Sequence, residues 1–316
     1  MKRPQTFDEI VGNESIKAML RETIKSAKMR GDALDNIFLS GSSGTGKSTF
    51  AGAIAYEFGT NFNHLMCKGC DEEAQIIVML IMKARDGDII LFDEVHNLKA
   101  NVIEGTLYDY LENTRVSIQY GNSIASMPAP KVTIIAATTE MDKMKIPFLN
   151  RFSIFIRLDK YTHAELAQII QFNATSENLT LDTPSALKIA QAARGIPRLA
   201  IQYLRRVRDH IVSNNITIIT PLIISNALAL MGIDNYGLSP SERNYLVALY
   251  DTFRMRPTGI DSICAVINEN RGMMESQYEP TLISTGLIIK TKSGRALTPK
   301  GILIADELTK SQPQSI

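Results

Sequence analysis

Apolar positions recur along this chain with two periods. Over the first half, short apolar runs alternate with amphipathic stretches whose apolar residues fall three or four apart. Ile16, Met19, Leu20 and Ile24 mark a first helix, Ile37–Leu39 a first strand, and a helix is predicted from about Ser48. Asn61–Met66 reads as a strand, and Glu73–Arg85 as a helix burying Ile76, Ile77, Leu80 and Ile81. Ile89–Phe92 is wholly apolar, as a parallel strand covered on both faces must be. A helix over Asn101–Glu112, a hairpin over Arg115–Pro130 turning near Gly121-Asn122, and strands over Val132–Ala137 and Ser153–Ile156 follow. Such alternation predicts an α/β fold with a parallel sheet over residues 1–157. Residues 158–234 read as helical, with N-caps at Thr162 and Thr183-Pro184 and a break at Gly195-Ile196-Pro197. After a linker at Asp234–Leu238, helices over Pro240–Phe253, Asp261–Asn268 and Met273–Ser284 precede two short strands, Leu287–Lys290 and Arg295–Thr298, joined at Ser293-Gly294. Three helices and a hairpin make residues 235–309 a winged-helix domain, and 310–316 reads as a flexible tail.

The loop between the first strand and its helix changes this from a fold to a chemistry. Gly41 to Ser48 matches G-x-x-x-x-G-K-[ST], the P-loop, in its required strand–loop–helix setting. Gly41, Gly44 and Gly46 let successive N–H groups turn inward and form an anion-sized nest at a helix N-terminus, with Thr45 and Thr49 in the same stretch. Lys47 is expected to bind the β- and γ-phosphates of ATP, and the Ser48 hydroxyl to coordinate Mg²⁺. The strand ending in Asp93-Glu94 supplies the complementary acids: Asp93 for the metal, Glu94 as general base toward water.

Other candidates carry two readings each. Thr138-Thr139 at a strand end either holds the lytic water or senses the γ-phosphate, or simply makes a turn. Arg151 is either a surface ion pair or an arginine finger for a neighbour's nucleotide, and periodicity does not choose. Arg198 opens a helix from which it reaches a phosphate, or belongs with Arg205, Arg206 and Arg208 to a solvated basic face. The segment around Ile10 and Val11 folds over an adenine ring or is core. His64, Cys67 and Cys70 follow one another at threes; without a second ligand pair they read as a loop with two thiols rather than a zinc site. The wing holds Lys290, Lys292 and Arg295, whereas the helix before it carries Glu275 and Glu279. That distribution suits phosphate contacts by the wing better than base reading by the helix, with a protein-docking role as the alternative.

Composition narrows the field only modestly. The 316 residues are 45% hydrophobic and 21% charged with net charge +1, so nucleic-acid binding must come from a local patch. No apolar run reaches the ~18 residues of a membrane span and the N-terminal residues lack a signal peptide's apolar core, so a cytoplasmic protein with reduced cysteines is expected.

Taken in order, the motifs carry a family resemblance. They are Arg-Pro-x-Thr-Phe-Asp-Glu-x-Val-Gly, Gly-Ser-Ser-Gly-Thr-Gly-Lys-Ser, Phe-Asp-Glu-Val-His, Ala-Thr-Thr, Asn-Arg-Phe, Tyr-Thr-x-x-Glu-Leu, Gly-Ile-Pro-Arg with Leu-Arg-Arg-Val-Arg-Asp, and Tyr-Glu-Pro with a basic wing. The chain resembles the RuvB family, the bacterial Holliday-junction branch-migration motors of the AAA+ class, over essentially its whole length. The resemblance implies an AAA+ core, a helical lid and a DNA-binding winged helix. It also implies a homo-hexameric ring moving double-stranded DNA and a RuvA-like junction-binding partner. By the same resemblance, Thr138 or Thr139 is sensor 1, Arg151 the trans finger and Arg198 sensor 2. Ile10, Val11, Tyr161 and Pro197 line the adenine pocket, and Lys292 and Arg295 contact DNA. Departures lie at Asn97 and Glu140, where the family usually has Arg, at Cys67–Cys70, and in a shortened hairpin poor in basic residues.

Overall fold

The computed structural model describes residues 4–69, 72–120 and 123–311. Cys70, the turn at Gly121-Asn122 and residues 312–316 of the expected tail lie outside them. The chain forms two compact units, Met1–Thr180 with Gly195–Gln202, and Leu181–Arg194 with Tyr203–Ile316.

The first unit is built on strands β1 (Ile37–Gly41), β2 (Phe62–Met66), β3 (Ile89–Asp93), β6 (Thr133–Thr138) and β7 (Ile154–Leu158), with β4 (Arg115–Tyr120) and β5 (Ser123–Pro128) as a separate antiparallel hairpin. The five core strands run parallel in the order β2-β3-β6-β1-β7. Because side chains alternate across a pleat, the apolar runs divide into two cores. Ile37, Leu39, Ile89, Leu91, Ile135 and Ala137 face a layer with Leu20, Ile24, Phe50 and Ile54. Their neighbours Phe38, Ile90, Phe92, Ile134 and Ala136 face the other, with Ile77, Ile81, Tyr110, Phe148 and Phe152. Register is fixed by a buried polar knot: Asp88 accepts hydrogen bonds from Thr60 Oγ1 (2.9 Å), Asn61 Nδ2 (3.0 Å) and Arg85 N (2.9 Å), pinning the starts of β2 and β3 together. The helix expected over 101–112 is present, but one turn of it, Ile103–Leu107, is π-helical.

In the second unit the C-terminal part has the expected helices, its first (Pro240–Val247) capped by Ser239 with Glu242 returning the bond. Strands β8 (Ile288–Thr291) and β9 (Gly294–Leu297) form the wing. Two expectations are corrected. The helix Thr183–Ala192 is capped by Asp182, whose carboxylate accepts from Ser185 N, rather than by Thr183. A further helix, Pro299–Ser311, includes residues 310 and 311, which the sequence reads as tail. Thr298 Oγ1 accepts from Gly301 N (3.0 Å) to start it. Gly301 permits its close packing, since a Cβ there would lie 2.0 Å from the Leu287 carbonyl oxygen. Ile304 and Ala305 of this helix complete a core with Tyr245, Leu246, Leu249, Ile263 and Leu282.

Candidate active site

Parallel strands place all their C-terminal ends on one edge, which is where α/β proteins bind ligands. Here β1 leads into the P-loop, β3 ends at Asp93 and β6 at Thr138. Gly44 has φ 81°, and a Cβ on it would stand 2.9 Å from both Arg198 Cβ and Ile196 Cγ2. The loop and the Gly195–Gln202 segment are thus in van der Waals contact. Arg198 N donates to Gly44 O (3.4 Å) and its Nη1 to Ser43 Oγ (3.2 Å). Buried Thr45 donates from Oγ1 to Ser42 O (2.8 Å), closing the loop from inside, and Thr49 is half-buried one turn into the helix. Lys47 Nζ donates to Gly41 O (2.9 Å) and Ser42 O (3.3 Å). Burial lowers its pKa, against the opposing pull of Glu94 and Asp93, and nearby Arg198 lowers it further.

The two metal candidates meet. Ser48 Oγ donates to Asp93 Oδ2 at 2.7 Å, so a hydroxyl and a carboxylate, both hard oxygen donors, converge beside the phosphate nest, a donor set that fits Mg²⁺. His64 Nε2 lies 3.3 Å from the same carboxylate oxygen, a contact that strand alternation did not reveal. Cys67 is buried, and its N–H donates to Asp93 O. Glu94 leaves the strand in the left-handed region (φ 54°), which turns its side chain toward β6. There Glu94 Oε2 accepts from Thr139 Oγ1 (2.8 Å) and Thr139 N (3.2 Å). Thr138, fully buried, instead lies 2.9 Å from His96 Nδ1 and accepts from Glu140 N (3.0 Å). The two threonines therefore have different partners.

The adenine candidates sit in a braced segment. Ile10 is buried, its carbonyl held by Lys17 Nζ (2.8 Å), and Val11 is half-buried. Asn13 Nδ2 reaches Tyr161 Oη at 3.5 Å, and Tyr161 N donates to Gly195 O (3.0 Å), two residues before half-buried Pro197. Burial, with Glu165 nearby, pushes the Tyr161 phenol up to about 12. Arg151 is not among the P-loop contacts of its own chain. Its guanidinium stacks over Tyr108 (3.7 Å to the ring centre), pairs with Glu112 (2.5 Å) and donates to the Pro147 carbonyl.

On the winged helix, the wing cations are not equivalent. Arg295 Nε and Nη2 donate to Glu279 (2.7 and 3.2 Å), Lys290 Nζ is 2.9 Å from the same carboxylate, and the Tyr245 hydroxyl donates to it at 2.9 Å. Arg295 is thereby drawn under the wing, whereas Lys292 is exposed. Burial would raise the Glu279 pKa, but the hydrogen bonds from Arg295, Lys290 and Tyr245 outweigh it and hold it below the usual 4.5. A carboxylate with a depressed folded pKa stabilises fully above its unfolded value and loses that contribution as pH falls through the folded one. The winged helix should therefore weaken only below about pH 4.5 at this site. Glu279→Ala, which takes the buried carboxylate from Arg295, Lys290 and Tyr245 while Arg295 keeps its 3.3 Å contact with Glu275, should cost about 1–3 kcal/mol, read as a lowered urea midpoint.

The fold and the site together define a P-loop ATPase of the AAA+ class. Three family models match in chain order: Holliday junction DNA helicase RuvB P-loop domain over residues 2–158, RuvB AAA lid domain over 161–234 and RuvB C-terminal winged helix domain over 235–305. The Holliday junction branch migration complex subunit RuvB of Campylobacter jejuni strain RM1221 is 35% identical over 302 residues, covering 94% of this chain and 89% of its own. The structure of the Thermotoga maritima RuvB Holliday junction branch migration motor is similar with a TM-score of 0.82 at 30% identity, covering 98% of this chain and 99% of its own. A mutant of that protein gives 0.84 at 29%, over 99% and 100%. The chain belongs to the RuvB family.

Proposed function

We propose that this protein is an ATP-driven motor that branch-migrates Holliday junctions, acting on double-stranded DNA as a homo-hexameric ring with a RuvA-like junction-binding partner. The observation that carries the reading is the meeting of Lys47, Ser48, Asp93 and Glu94 at one sheet edge in a chain that also ends in a winged helix. Names of relatives as branch-migration subunits support the reaction, and bacterial relatives support a bacterial cytoplasmic setting. Among the described residues no helix is long and apolar enough to cross a membrane.

In this reading the P-loop N–H groups from Gly41 to Thr49 and Lys47 bind the phosphates, while Ile10, Val11, Tyr161 and Pro197 enclose adenine. Ser48 and Asp93 would hold Mg²⁺, which would neutralise phosphate charge. Glu94, aimed by Thr139, takes the proton of the attacking water. Arg198 reads the γ-phosphate from its place beside Gly44, and Arg151 serves the neighbouring subunit's site. Function divides the chain at 1–157, 158–234 and 235–309. Of the wing residues, Lys292 grips DNA phosphate directly, and Lys290 and Arg295 share their charge with Glu279.

Duplex DNA should raise ATP turnover, and Lys292→Ala should weaken duplex binding similarly for all sequences while lowering the salt slope by about one. Nucleotide binding without turnover, with or without duplex, would point instead to an ATP-assembled adaptor.

A further inference from the structure

We infer that Glu140 and His96 are positioning residues for hydrolysis, fixing which of the paired threonines serves Glu94; the inference rests on Glu94 being the general base. His96 is enclosed, its side chain 7% exposed, between three polar partners. Its Nε2 lies 3.2 Å from Glu140 Oε1, and Glu140 is also tied to Lys143 at 2.6 Å. An ionised carboxylate only accepts, so its place beside Nε2 favours the tautomer with the proton on that nitrogen. In the neutral ring Nδ1 is then an acceptor, and the atom it meets is Thr138 Oγ1 at 2.9 Å. The Thr138 hydroxyl accepts from Glu140 N and donates to His96, so its single proton is committed.

Glu94 Oε2 lies 3.4 Å from the same Nδ1. With the proton on Nε2 these are two acceptors and form no hydrogen bond, which leaves the carboxylate to Thr139 Oγ1 and Thr139 N. Were the proton on Nδ1, the imidazole would donate to Thr138 Oγ1, its nearer neighbour (2.9 Å against 3.4 Å), and the same N–H would draw the Glu94 carboxylate from Thr139. Glu140 opposes that by drawing the ring proton to Nε2. Glu140 thus acts through His96, at one remove from the reacting atoms.

The test is Glu140→Ala beside Glu140→Gln, whose side-chain carbonyl still accepts from Nε2–H. Glu140→Ala should lower kcat about tenfold, with KM and the Kd of a fluorescent ATP analogue within about twofold and the melting temperature unchanged; Glu140→Gln should retain kcat. Histidine-selective ¹⁵N NMR, with His96 assigned by its loss in His96→Gln, should show the Nε2–H form in the wild type and a shift toward Nδ1–H in Glu140→Ala. A wild-type Nδ1–H ring, or unchanged kcat in Glu140→Ala, would overturn the inference. Full hydrolysis by Glu94→Gln would instead overturn the role given to Glu94, and the NMR result would stand apart from it.

Discussion

Mixing Arg151→Ala subunits with Glu94→Gln subunits should restore ATP turnover that neither variant has alone. Alone, Arg151→Ala is expected to lose about 10³-fold or more in turnover, because a trans arginine stabilises charge that develops only in the phosphoryl-transfer transition state. Its nucleotide affinity should stay within about twofold, since the phosphate nest is intact. The structural ground is where Arg151 lies: stacked on Tyr108, paired with Glu112 and 18% exposed, with Lys47 and Ser48 making their contacts elsewhere. In the proposed reading Arg151 completes the catalytic site of the neighbouring subunit. In a mixed assembly some interfaces join an intact Glu94 to an intact Arg151, and those sites turn over. Mixtures that remain inactive would place any catalytic effect within one chain. An Arg151→Ala protein that hydrolyses normally but melts earlier would make the Glu112 pair purely structural.

Glu94→Gln is the second large effect. The substitution keeps shape and leaves an oxygen to accept from Thr139 Oγ1 and N, so the loop after β3 has no reason to move. What disappears is basicity toward water, and loss of a positioned general base is expected to cost about 10²–10⁴ in kcat. ATP should still bind, because Lys47, Ser48 and Asp93 are untouched. Single-turnover and binding measurements separate the two: slow chemistry with normal affinity supports the assignment, whereas loss of affinity would mean that Glu94 chiefly supports the metal site.

Legibility in the sequence followed interaction range. The sheet strands and the P-loop are visible because pleat period and loop spacing are local properties, and Asp93 and Ser48 each stand in a local motif that the fold brings to 2.7 Å. The His96–Glu140 pair and the attachment of Arg295 to Glu279 join residues 44 and 16 positions apart, which no periodicity records. The wing therefore reads in sequence as three equivalent cations, and in space as two exposed lysines, of which Lys290 is paired with Glu279, beside a half-buried Arg295 paired with the same carboxylate. The helix Pro299–Ser311 has a local signal, Thr298 before Pro299, and Ser239-Pro240 and Thr220-Pro221 start helices in the same way.

The most direct test of the account is dissociation of a synthetic four-way junction by the full-length protein, with a junction-binding partner, in ATP and in a non-hydrolysable analogue. The expected result is two duplex products in ATP, intact junction in the analogue, and intact junction with Glu94→Gln even in ATP. Vigorous ATP turnover with every junction left intact would contradict the motor reading.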